Sequence, residues 1–136
     1  MSSAIAAFLG LLEYKLLVGL LVAVVGGFIV VWALVSYLRH HTGEKWEEPR
    51  VRVPAWLTGV IERGVFTLLI AYQVDDIGTL MAGWLALKLA SNWNRPERTG
   101  AEAAAYAFSA LLAGLVSLTF AALGGRIALG DKPLWW

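Results

Sequence analysis

The chain has 136 residues, 59% of them hydrophobic and 15% charged, with a mean hydropathy of +0.67; a soluble domain carries about 25% charged residues, so this composition suits lipid better than water. Eleven basic residues against ten acidic leave a net charge of +1, too little for a global field that would recruit nucleic acid or an acidic substrate. The absence of cysteine excludes disulfides, thiolate metal sites and cysteine nucleophiles, and crossing a bilayer uses nearly all of the length, which leaves no separate catalytic domain.

The first predicted element is built on Leu16 to Leu38, 23 residues without a charge, about 35 Å as a helix and long enough for a hydrocarbon core of about 30 Å. Residues 3 to 14 extend it outward. A secretory signal would have a basic start and a shorter apolar stretch; here Glu13 precedes the run and Arg39, His40 and His41 follow it, so an uncleaved span over about 14–38 is expected. His40 and His41, with Glu44, Glu47 and Glu48 behind them, invite a metal reading. Adjacent histidines diverge on a helix, and Gly43 and Pro49 predict a solvated loop instead.

The second and third elements are shorter. Gly64 to Val74 and Ile77 to Leu87 are each 11 residues free of charge, about 17 Å of helix and too short to cross alone. Extended to Trp56 and Trp93, they become spans over about 55–73 and 76–93, each closed by a tryptophan at the interface. Pro54 suits a helix start, and Asp75 or Asp76 an N-cap after a tight turn. A re-entrant hairpin is the rival arrangement. It would bring both aspartates near mid-membrane, at about 2.5 to 3.5 kcal/mol for each ionised carboxylate, which favours two full spans.

The last element rests on Ala103 to Gly125, again 23 residues without a charge. Thr99 and Glu102 have the spacing of a capping box, which predicts a span over about 100–127. The expected fold is therefore all-α: a polytopic membrane protein with four transmembrane helices in a bundle, spans two and three being short. The loops after spans one and three hold Arg39, Lys45, Arg50, Arg52, Arg95 and Arg98, against Lys15, Arg126 and Lys132 on the other side. That asymmetry predicts both loops in the cytoplasm of an inner or cytoplasmic membrane and both termini outside.

Small residues recur every fourth position in two helices: Gly19, Ala23 and Gly27 in the first, and Ala113, Ser117, Ala121 and Gly125 in the last. Such lines let helices approach closely in lipid. They fit either a homo-oligomer seam or internal packing of spans one and four.

The candidate ligand or ion site is Glu62, Arg63 and Lys88. Glu62 lies six residues inside Trp56 and Lys88 five inside Trp93, so both are expected roughly 7 to 9 Å below one interface and able to face each other. Pairing would lower the cost of burial, and the surplus positive charge could hold a lipid phosphate or a carboxylate. The competing expectation is that Arg63 and Lys88 snorkel to anchor short spans. At the other end of the same hairpin, Asp75 and Asp76 are a second candidate ion-binding pair, explained as readily by helix capping. No nucleophile or metal cluster appears with a supporting partner, and no phosphate loop, nucleophile elbow or metalloprotease helix is present, so no metal and no cofactor are expected. The sequence points to a non-enzymatic membrane component whose partners are lipids and either its own copies or a larger complex. An oligomeric channel, transporter or accessory subunit is the first expectation; a lipid-binding or lipid-modifying protein that holds an anionic headgroup on Arg63 and Lys88 is the alternative.

Overall fold

The computed structural model describes residues 3–42, 54–93 and 100–130, and every regular element among them is helical. α1 (Ser3–Leu21) runs through a π-helical turn, Val22–Gly26, into α2 (Gly27–Thr42), so the three segments form one rod. α3 (Ala55–Ala71) and α4 (Ile77–Trp93) form a hairpin of 17-residue helices, and α5 (Gly100–Leu129) has 30 residues. Two helical stretches, Glu13–His41 and Gly100–Leu129, are long and apolar enough to cross a membrane.

Helix ends follow local chemistry. Pro54 stands just before α3, and its carbonyl accepts from Leu57 N at 3.0 Å and Thr58 N at 3.3 Å. α3 stops in a Schellman arrangement, with Gln73 N donating to Ile70 O at 2.9 Å and Val74 N to Leu69 O at 3.0 Å. Gln73 takes the left-handed conformation (φ 53°) that glycine usually fills at this position. α4 then begins after Asp76, also left-handed at φ 57°. The Thr99 half of the expected capping box lies outside the described residues.

One expectation is corrected. His40 and His41 are not in a loop: α2 continues through Thr42, and His41 Nδ1 donates to the Tyr37 carbonyl at 3.2 Å. The helix outruns the apolar stretch because nothing before Gly43 breaks it.

α5 is the central rod and touches every other helical segment. Thr67 Oγ1 donates to the Ala121 carbonyl at 3.3 Å, Arg63 meets Ser117, and Ile70 packs on Gly125. Both numbers of each pair rise together, so α3 and α5 run parallel. The first rod is antiparallel to α5: Gly19 faces Gly124, Gly26 and Gly27 face Phe120, and Lys15 reaches Gly130. Leu85 on Gly114 and Trp93 on Phe108 make α4 antiparallel to α5 as well. The result is an up-down-up-down bundle.

Small side chains occupy its centre, among them Ala23, Ala107, Ala121 and Ala128, whereas Leu17, Leu21, Ile29 and Trp32 are exposed. Phe66 and Leu118 add the larger buried side chains, but a core rich in alanine and glycine under a surface of large apolar residues departs from the usual soluble pattern. It is the arrangement that close helix packing in lipid produces.

Candidate functional site

α3 carries Glu62 and Arg63 at its middle, both turned into the bundle and buried. Lys88, half-buried on α4, donates to Glu62 Oε2. An antiparallel hairpin makes this meeting possible, since residues equally far from its two ends share a level. Arg63 is 2% exposed and donates from Nη1 to Ser117 Oγ of α5 at 3.2 Å. It therefore does not snorkel.

Room for Arg63 is made by two glycines. A Cβ on Gly27 would lie 2.5 Å from Arg63 Cδ, and one on Gly59 would lie 3.3 Å from Arg63 Nη1. Gly59 precedes Arg63 by four residues on the same face of α3, a local signal that a sequence can carry. The contact with Gly27, just after the π turn, has no such signal. Inserted π turns often mark functional positions.

The cluster lies level with the middle of the two long helices. Gly27 is the fifteenth of 29 residues in Glu13–His41, and Ser117 the eighteenth of 30 in Gly100–Leu129. Arg63, in contact with both, is thus near the middle of both long helices. The reason is that the hairpin tryptophans do not mark their ends. Trp93 packs edge-to-face on Phe108, with ring centroids 6.1 Å apart, and α5 continues about 12 Å beyond Phe108 toward Gly100.

A cavity of about 790 Å³ extends from Arg39, Trp56 and Asn92 at one end of the bundle to Arg63 and Ser117 at its floor. It exists because α2 and α4 do not touch there, each leaning on α5 instead. Trp32, Trp84 and Tyr106 supply much of its apolar wall. Its charged lining is one-sided: Arg39, Arg63 and Lys88 face it, and no Asp or Glu among the described residues does. Glu62 lies behind Lys88. Two buried polar atoms, Glu62 Oε1 and Arg63 Nε, have no hydrogen-bond partner among the described residues, an expensive condition for buried charged groups.

The other candidate residues are placed elsewhere. Asp75 and Asp76 are exposed in the α3–α4 connection, away from the Glu62, Arg63 and Lys88 cluster. Among the described residues no three of His, Asp and Glu converge. Gly19, Ala23, Gly27, Ser117, Ala121 and Gly125 are buried within the chain and Ala113 lines the cavity. Both small-residue lines thus face inward, and Ser117, read from sequence only as a packing residue, is also the Arg63 partner. Arg39 as a third cation of one cavity was equally outside the sequence reading.

No protein-family model, curated protein or solved structure matches the chain.

Proposed function

We propose that the chain is a four-span membrane protein that binds an amphipathic anion in this cavity, as a binding or carrier component and not as an enzyme. The observation that carries the reading is the cavity itself: Arg63 and Lys88 at its inner end, no Asp or Glu lining it among the described residues, and tryptophans along the way in. Counting Glu62, the buried cluster has one acidic and two basic groups, a surplus that a monoanion neutralises. Arg and Lys offer charge-assisted hydrogen bonds to phosphate, sulfonate or carboxylate. The volume falls in the usual range of small-ligand sites, about 300 to 1,000 Å³. A lipid headgroup and a free organic anion share this chemistry. Because both small-residue lines are engaged inside the chain, they do not call for an oligomer seam, which favours binding over an oligomeric channel.

The register of the hairpin supports four crossings. α3 runs parallel to α5 at a constant offset of 54 residues, so the turn at Asp75 and Asp76 falls level with residues 129 and 130 at the end of α5. A re-entrant hairpin would turn near the middle of α5. Helices of 17 residues reach only about 25 Å, a shortfall that local thinning of the bilayer absorbs at modest cost. With basic loops inside, His40→Cys should react with an impermeant maleimide only from the cytoplasm and Asp75→Cys only from the opposite side. The chain has no cysteine of its own to interfere. Labelling of both from one side would restore the re-entrant arrangement.

Binding is tested with purified protein in phosphatidylcholine nanodiscs, titrated with a dansyl-labelled alkyl sulfonate and followed through tryptophan fluorescence. The sulfonate should bind at least about tenfold tighter than a zwitterion with the same tail, a difference of about 1.4 kcal/mol. Ala110→Trp, which fills the cavity from α5 without removing a charge, should abolish binding while helicity is retained. Competition by methanesulfonate would indicate a free anion as the natural ligand, and its failure a lipid. Equal binding of both amphiphiles, or indifference to Ala110→Trp, would overturn the proposal.

A further inference from the structure

We propose that the anion is the headgroup of a bilayer lipid and that one acyl chain of this lipid lies in a groove between α3 and α4, an inference that rests on the anion-binding reading above. The groove is a second concavity, of about 380 Å³. Phe66 and Leu69 line it from α3, Leu80 and Gly83 from α4, and no charged residue among the described ones does. Trp84 and Leu87 line both this groove and the cationic cavity, so the two spaces adjoin at one pair of side chains. A site that is charged on one side of Trp84 and apolar on the other suits an amphiphile, whereas a free anion would leave the groove unused.

The order of the two spaces along the bundle matches a lipid. Phe66 follows Glu62 by one turn of α3, and Trp84 precedes Lys88 by one turn of α4, each on the same helix face as its neighbour. The groove therefore starts one turn past the ion pair and runs toward the α3–α4 connection, while the cavity extends the opposite way, to Arg39. With its head on Lys88 and a chain in the groove, the ligand points as a lipid of the leaflet on the Arg39 side already does. From Lys88 to Thr79, at the far end of the groove, is nine residues, about 13 Å of helix and the reach of roughly ten carbons of an extended chain. The protein does not fill this space itself. α4 turns Leu85 onto Gly114 of α5, but a Cβ on Gly83, on the other side of the helix, would meet nothing within 4 Å. Because lipid tails are as apolar as leucine, the groove seats the chain by shape. Selection between heads falls to Lys88, through a charge-assisted hydrogen bond.

The test uses the full chain in phosphatidylcholine nanodiscs and a dodecyl sulfonate with a photoreactive diazirine near the end of its chain. On illumination the label, located by peptide mass spectrometry, should fall beside the groove at Phe66, Leu69 and Leu80, about tenfold or more above its level on the exposed face of α5. Gly83 lines the groove and not the cavity, so Gly83→Phe fills the one and leaves the other. This variant should bind the sulfonate about tenfold more weakly and scatter the label. The labelling pattern of the wild-type protein does not depend on the variant folding. A label spread evenly over the outer surface, an unchanged affinity in Gly83→Phe, or displacement of the sulfonate by methanesulfonate would each overturn the seating of a chain in the groove and leave the anion site standing. A sulfonate that binds no better than the zwitterion with the same tail would instead remove the site.

Discussion

Lys88→Ala should lower the stability of the bundle by about 3 kcal/mol or more, whereas Lys88→Ala combined with Glu62→Ala should recover a large part of that loss. Removing one partner of a buried ion pair leaves the other charge without compensation, at about 3 to 5 kcal/mol. The Glu62 side chain is fully enclosed, so water cannot take the place of the ammonium. The Lys88 side chain is 27% exposed and that of Glu62 fully enclosed, which puts Glu62→Ala alone at the smaller cost: the stranded ammonium keeps some access to water, whereas a stranded carboxylate has none. Equilibrium unfolding of all four proteins in mixed micelles gives the double-mutant cycle. Additive costs would show that the pair makes no energetic contact.

Gly124→Leu should be as damaging for a different reason, at about 3 kcal/mol. A Cβ at this position would run into the Gly19 carbonyl oxygen and lie 2.8 Å from the Ala23 Cβ. These are backbone and first side-chain atoms and cannot swing aside, so α1 and α5 must separate along their whole seam. Gly83 provides the contrast. An added Cβ there meets nothing within 4 Å, and Gly83→Ala on α4 should stabilise by up to about 1 kcal/mol through helix propensity alone. Thermal unfolding of both variants separates close packing from propensity; equal shifts would refute the tight α1–α5 approach.

The helices were legible in the sequence because charge-free runs, a proline and adjacent aspartates mark their limits directly. The meeting of Glu62 and Lys88 was legible too, since consecutive antiparallel helices make residue counts from Trp56 and Trp93 comparable. The level of that pair along the long helices was not. It depends on how far α5 projects past Trp93, a relation between helices whose relative height no local pattern encodes. The same limit hid the Arg63 to Ser117 bond, which requires the register of two helices that are not neighbours in the chain. It also hid the cavity, which arises where α2 and α4 diverge. Gly27 could be read as a small residue on a packing line, but its role as the floor for an arginine stem required the crossing itself.

The position of α5 at the centre has a consequence for biosynthesis. Translation delivers the chain from its amino end, so α1 to α4 leave the ribosome before the rod on which they all lean, and their contacts with one another are sparse beside those with α5. Until α5 is inserted, Arg63 lacks Ser117 and the seam glycines of the first helix lack their counterpart. The nascent hairpin must hold its charges by the Glu62 to Lys88 pair, and condensation of the whole assembly waits for α5.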